Sequence, residues 1–330
     1  MEEIHRQLAL WGSDTLIHNA QAIANPAQRR REIRLIEHAS AVMGELSEDD
    51  LSFVHSGLCQ TALPHQRLES NDAIWQRSSG RFHLMISPGA IRNKEGQAVR
   101  VGVPYGTRAR LIMIFLQSEG VKSRTVHLGA SMAAWVRSLG LAVSGGPRGT
   151  IQSIREQALR IARCEFTMQW EAANPQNGSQ TIIKDQRLVS GMSLWAAPED
   201  GHDEKWSATV ELALDFHSHL REHAVPLAKD AIAFLKDNSL ALDLYTLLAY
   251  RLQRLDRPIL MRWSMLAQQT GSDVVRSSHL AQRVKMVLPD VLGVYPDAHV
   301  ELTRYGLKLH PSKPPVPKTM VKGIRLAASS

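Results

Sequence analysis

Cysteine is nearly absent from this chain: its 330 residues include two, Cys59 and Cys164, outside any CxxC or Cys/His ladder. A disulfide scaffold and a zinc finger are therefore excluded, and a reduced, cytoplasmic setting is expected. Apolar runs are short. None approaches the roughly 18 residues of a membrane helix, and the amino terminus lacks a basic stretch followed by an apolar one, so neither insertion nor secretion is expected. A GxxxxGKS/T phosphate loop is missing; the stretch from Gly145 to Thr150 has the glycines without the lysine. An ATP-driven motor is accordingly not expected. No Ser/His/Asp set can be assembled, and no catalytic residue, cofactor or metal is assigned.

What is present is basic charge, unevenly placed. The net charge is +7 and the pI near 9.6. Residues 1–80 hold 7 Lys/Arg against 11 Asp/Glu, residues 81–200 hold 15 against 8, and residues 257–330 hold 11 against 4. The balance runs from −4 through +7 to +7, which points the later segments toward a polyanion.

The segment from Ser239 to Pro315 carries the clearest order of elements. Ser239–Leu255 is apolar on most faces and predicts a buried helix. Pro258 stops it, and Ile259 to Trp263 favours an extended strand. Ser264 is expected to cap a short helix that Gly271 ends. Asp273–Leu292 predicts a long helix, with Leu280, Val284, Val287 and Val291 on its buried face. His299–His310 alternates around Tyr305-Gly306, as a β-hairpin does. Helix, strand, helix, helix, hairpin is the order of a winged helix. The solvent side of the long helix then carries Ser278, Gln282 and Lys285, flanked by Ser277, His279 and Arg283, which suit base edges and phosphates in a major groove. Arg304 and Lys308 make the hairpin basic. A plain solvated helix face is the bland alternative, and the paired helices with the basic hairpin weigh against it.

The same order occurs earlier without residue-level repetition. Arg81–Ser87 reads as a strand, Gly89–Arg100 as a polar loop or hairpin and Pro104–Gly120 as an amphipathic helix. A short strand from Arg124 and a helix at Ser131–Gly140 follow. Thr150–Arg163 is a helix with Ile151, Ile154, Ala158 and Ile161 inward, ahead of strands Glu165–Glu171 and Thr181–Val189. That helix exposes Gln152, Arg155, Glu156 and Arg163, with Arg148 just before it; Glu156 would repel phosphate, so DNA contact and a protein interface weigh equally here. The expected class is α+β: two tandem winged-helix domains at 81–198 and 206–312, preceded by a mainly helical region at 1–80 and followed by a basic flexible tail at 313–330. The charged, breaker-rich Pro198–Lys205 stretch marks the boundary. Trp206–Ala213 should open the second domain as a strand, followed by helices at Asp215–His223 and Asp230–Lys236. In the first region, helices are expected at Asp14–Ala24, Ala27–Leu46 and Leu51–Gly57, the last capped by Ser47 to Asp50. Arg29-Arg30-Arg31 reads as a solvated face more readily than as a phosphate contact.

His217 and His219 invite a metal-dependent nicking reading with Tyr245 or Tyr250, but at i and i+2 on a helix they point to different sides. Trp135, Trp170 and Trp263 fall at positions the periodicity buries and so are expected in the core, while Trp195 and Trp206 flank the boundary.

Several stretches, PYGTRARLIMIFLQSEG (Pro104–Gly120), LGASMAAWVRSLGL (Leu128–Leu141), the segment Ile154–Trp170, NSLALDLYTLLAYRL (Asn238–Leu252) and LHPSKPPV (Leu309–Val316), resemble the plasmid-encoded RepA replication initiators over roughly Val101–Pro315. The resemblance implies two winged-helix domains that bind double-stranded DNA at origin repeats (iterons), help open the duplex, recruit a host initiator and helicase, self-associate as monomer and dimer and can repress their own gene. It also implies that the second domain makes the main base contacts and that the first contributes dimerisation or backbone contacts. Direct readout would then fall on Ser277, Ser278, Gln282, Arg283 and Lys285. The rival readings are a winged-helix transcriptional regulator and the nicking enzyme.

Overall fold

The computed structural model describes residues 2–174, 178–193, 208–272, 277–317 and 320. The chain begins with helices α1 (Glu2–Gln21) and α2 (Pro26–Met43), then strand β1 (Leu51–His55) and helix α3 (Ser56–Gln60). Strands β2 (Trp75–Ser79), β3 (Phe82–Ser87), β4 (Ala90–Arg92) and β5 (Ala98–Arg100) follow. Next come α4 (Gly106–Lys122), β6 (Thr125–His127), α5 (Met132–Ser138), α6 (Thr150–Arg163), β7 (Glu165–Asn174), β8 (Gly178–Arg187) and β9 (Val189–Met192). The second half holds β10 (Thr209–Leu212), α7 (Leu214–His223), β11 (Ala224–Ala228), α8 (Lys229–Leu235), α9 (Ser239–Arg251), β12 (Ile259–Arg262), α10 (Trp263–Gln269), α11 (Ser277–Gly293), β13 (Val300–Thr303) and β14 (Gly306–Leu309). Helices and small antiparallel sheets mix throughout, which makes the class α+β.

The described residues divide into two compact units. A central unit runs from Phe53 to Ala224; a terminal unit joins the residues up to Ser52 to those from Val225 onward. This differs from the expected partition in two places. Strand β10, expected to open the second domain, pairs antiparallel with β6 and β9 (Val210 opposite Val126 and Met192), and α7 packs on α4, so both belong to the central unit. Residues 1–52 are not a separate region either, because α2 packs on α8 and α11 in the terminal unit. The Pro198–Lys205 boundary stretch, Trp195 and Trp206 lie outside the described residues, as do Asp273 and nearly all of the tail beyond Pro317.

Core formation in the central unit follows the pattern of apolar residues. The four-stranded sheet β2-β3-β7-β8 sets Leu84 opposite Met168 and Ile86 opposite Phe166, all buried. Helix α6 turns Ile154, Ala158 and Ile161 inward as expected, whereas Ile151 is only half-buried. Trp135 is buried in the same unit.

One expected helix is a strand. The Ser47 cap does form, its amide donating to Asp50 Oδ2 at 2.8 Å, but it caps a single 3₁₀ turn. Every residue of β1 is buried, and α4 side chains take two of its amides, Phe53 N donating to Ser118 Oγ and His55 N to Gln117 Oε1, each at 2.8 Å. Five residues, all buried with Ser52 and His55 among them, are too few to reveal a period, so helix and strand look alike at that length.

In the terminal unit, α9 is apolar all round and buried, and the Asn238 side chain caps it by accepting from Leu240 N and Ala241 N. Strands β12 and β13 flank β14, with Met261 and Leu302 opposite Leu307. Helix α10 starts two residues earlier than expected: Ser264 lies within its first turn, and Arg262, with no side-chain cap bond, precedes it. Helix α1 bends at Gly12, whose φ of 74° is a conformation that glycine adopts without a Cβ penalty.

Candidate nucleic-acid interface

Helix α11 is amphipathic in the way the sequence predicts. Leu280, Val284 and Val291 are fully buried, Val287 and Leu288 nearly so, and these residues pack the helix on α9 and α10. The opposite side exposes Ser278, His279, Gln282 and Lys285. The spacing from 278 to 282 to 285 keeps these three side chains on one face. The side chain of Ser277 lies outside the described residues. Met286, 63% exposed, shares this side and was missed by the sequence reading. Its distance from the apolar seam was the available signal.

Arg283 is placed differently from its neighbours. It is half-buried, and its Nη1 donates to Ser272 Oγ at 3.3 Å. One end of the guanidinium is thus held against the chain that leads into α11.

The hairpin turn is anchored from below. Trp263, at the start of α10, donates its indole Nε1–H to Arg304 O at 3.1 Å and its amide to Tyr305 O at 3.2 Å. At the join of β12 and β14, a Cβ on Gly306 would meet Met261 O at 2.0 Å, so the strands can approach this closely only with glycine there. Arg304 and Tyr305 are exposed at the tip, the guanidinium 4.9 Å from the ring centroid. Lys308 is not a free cation: its Nζ lies 3.2 and 3.4 Å from the two carboxylate oxygens of Glu301, directly opposite on β13. His310 Nε2 lies 2.8 Å from Glu301 Oε1.

In the central unit, Arg148 and Gln152 are exposed and Arg155 half-buried around the start of α6. Gln152 and Arg155 line a depression of about 450 Å³ with Gly145, Gly146, Pro147 and Ile151. The repulsion expected from Glu156 is largely answered within the helix, since Arg160 Nη2 and Nε donate to its Oε1 at 2.8 and 3.1 Å. Arg163 is also committed, donating to Ala90 O at 2.7 and 3.0 Å.

The arginine run on α2 is partly engaged. Arg31 pairs with Asp290 of α11, and Arg34 Nη2 lies 3.4 Å from Phe234 O. His5 Nε2 is 2.9 Å from Gly293 O, at the carboxyl end of α11. The amino-terminal helices therefore brace the back of the helix whose front carries the polar face.

The nicking geometry does not assemble around Tyr245. That residue is fully buried, its hydroxyl oxygen accepting from Ala228 N at 3.0 Å, and burial pushes its pKa above the usual phenol range. The Tyr250 ring lies beneath the Arg254 guanidinium, 4.1 Å away. His219 does find a partner, the buried His55, with Nδ1 and Nε2 2.7 Å apart. Because His55 Nδ1 accepts from Gly57 N at 3.1 Å, the His55 proton is assigned to Nε2 and His219 Nδ1 is the acceptor. Among the described residues, no group of three or more His, Cys, Asp or Glu is arranged to hold a metal ion. Both cysteines are buried, and burial pushes the Cys164 thiol up to about 11. None of the described helices is long and apolar enough to cross a membrane.

A family model described as "Plasmid encoded RepA protein" matches residues 103–264. Over those residues the chain is similar to the plasmid-encoded RepA proteins. The match spans α4 to the start of α10 and includes four of the five stretches that carry the resemblance; Leu309–Val316 lies beyond it. The RepA match also stops short of α11 and the hairpin, so the reading of those elements rests on their own residues. Two solved structures are similar at low identity. The selenomethionine derivative of domains 2 and 3 of RctB shares 15% identity, covering 79% of this chain and 98% of that one, with a TM-score of 0.47. A second structure of RctB domains 2–3 shares 12%, covering 77% and 96%, with a TM-score of 0.45. Likenesses of this size carry no conclusion about function. No curated protein matches the sequence.

Proposed function

We propose that this chain is a RepA-type, non-enzymatic plasmid replication initiator that binds repeated origin sequences with two winged-helix modules. The observation that carries the proposal is α11, a helix buried along one side that presents Ser278, His279, Gln282 and Lys285 on the other and is followed by a hairpin with Arg304 and Tyr305 at its tip. A face of this chemistry fits a major groove: the amide pairs with adenine, the cation with guanine or phosphate, the hydroxyl with either. Met286 adds an apolar contact suited to a thymine methyl. Arg148, Gln152 and Arg155 at the start of α6 supply the contacts of the first module, with the charge of Glu156 held by Arg160. The net charge of +7 supports affinity drawn largely from phosphate neutralisation.

On this reading the protein works in the cytoplasm, helps open the duplex, recruits a host initiator and helicase, and self-associates in a way that lets it also repress its own gene. The direct test places the gene and its flanking DNA on a plasmid that lacks an origin of its own. The proposal expects the plasmid to be maintained, and expects Gln282→Ala to abolish or reduce maintenance. A protein that binds the flanking DNA yet sustains no replication would be a transcriptional regulator instead.

A further inference from the structure

Glu301 is the one carboxylate between residues 298 and 317, a stretch that also holds Arg304, Lys308 and Lys313 and two histidines. Its position within that stretch is specific. On β13 it lies directly opposite Lys308 on β14. Its oxygens sit 3.2 and 3.4 Å from Lys308 Nζ, and one is 2.8 Å from His310 Nε2. The hydrogen bond from Lys308, aided by its charge and by the contact with His310 and opposed by partial burial, holds the Glu301 carboxyl below the usual carboxylate range. More than half of its side chain remains exposed. An exposed pair of this kind contributes little to folding. Its larger effect falls on whatever charged ligand approaches the hairpin.

We propose that Glu301 is an electrostatic brake on the hairpin, holding Lys308 and His310 and repelling phosphate so that sequence-independent DNA affinity stays low. The proposal rests on the reading of the hairpin as a DNA-contacting element. A duplex approaching Lys308 must compete with a carboxylate already in place, and it meets that carboxylate's own charge just behind the lysine. A protein that must find a few repeats among a large excess of other sequence gains selectivity from any device that weakens binding everywhere while leaving base contacts on α11 intact.

Full-length wild type, Glu301→Gln, Glu301→Ala, Lys308→Ala and the Glu301→Gln/Lys308→Ala double variant would be titrated against an unrelated duplex and against the DNA flanking the gene, over a range of salt. Thermal unfolding would confirm that each is folded, the alanine variant standing in should the glutamine variant fail. Removing one like charge at roughly 7 Å from a phosphate in a water-like dielectric corresponds to about threefold tighter binding. Freeing a lysine for one more phosphate contact steepens the salt slope by about 0.9. Glu301→Gln is therefore expected to bind the unrelated duplex about 3- to 10-fold more tightly with a steeper slope, and the added Lys308→Ala to cancel most of that gain. If Lys308→Ala weakens binding while neither Glu301 variant tightens it, the brake is overturned and the hairpin contact stands. If Lys308→Ala leaves every duplex unchanged, the hairpin does not touch phosphate, and the reading beneath the proposal fails with it.

Discussion

Arg283 Nη1 donates to Ser272 Oγ at 3.3 Å, while its neighbour Gln282 stands exposed with no such tether. Two adjacent residues on one helix are thereby given different tasks. Gln282→Ala should leave stability unchanged and cost roughly 1 to 3 kcal/mol at one base position of the repeat, relaxing discrimination there. Arg283→Ala should lower discrimination by a similar amount and also loosen the entry to α11, which hydrogen exchange at residues 277–284 would register as faster. Unchanged discrimination in both variants would remove α11 as the reading helix.

The buried side of α11 makes a separate prediction. Leu280 is fully buried against the rest of the terminal unit. Leu280→Ala should destabilise that unit by about 2 to 5 kcal/mol, through lost transfer energy and the cavity left behind. Urea unfolding followed at α9 and α11 would measure it. A loss below about 1 kcal/mol would mean that the site collapses far more readily than its packing suggests.

The amino-terminal helices should matter to the same unit. Ile36 on α2 is 3% exposed, and Arg31 pairs with Asp290 of α11. Ile36→Ala should cost about 2 to 5 kcal/mol, whereas Arg31→Ala, at an exposed pair, should cost no more than about 1 kcal/mol. Equal losses from the two would show that charge, not burial, docks α2.

Acid should weaken the central unit. Burial, reinforced by the charges of Arg221 and Arg124, pushes the His217 pKa below its ordinary 6.5, while a backbone contact with Gly120 works the other way. A ring whose pKa is lower folded than unfolded gives its full stabilisation above about 6.5. That stabilisation is lost as pH falls from there through the folded value. The unfolding midpoint should therefore drop as pH goes from 7 to 5, and His217→Gln should flatten part of that drop. A midpoint constant over that range would contradict it.

The elements from α9 to β14 were legible because each is punctuated locally: Pro258 starts an extended segment, Gly271 ends a short helix, and alternating strands meet at a tight turn, which the structure places at Arg304-Tyr305, one residue before the expected pair. Strand β10 was legible as a strand, yet its place was not. Its partner β6 lies more than 80 residues earlier, and nothing in Thr209–Leu212 records that pairing. The burial of Tyr245 and the meeting of His55 with His219 are likewise products of distant packing. Side-chain commitments on the interface were hidden for a different reason, since a lysine is free or paired according to a rotamer that no spacing specifies. The pairing of Glu301 with Lys308 follows the same rule: only the register set by the turn at Arg304-Tyr305, rather than at the expected Tyr305-Gly306, places the two opposite each other.

The reading of this chain as an origin-binding initiator is tested most directly by nuclease footprinting of the full-length protein on DNA flanking its gene. The expected result is protection of repeated sequences, phased on one face of the duplex at about two helical turns and fading steeply as salt rises. Protection no stronger than on an unrelated duplex at the same salt would contradict it.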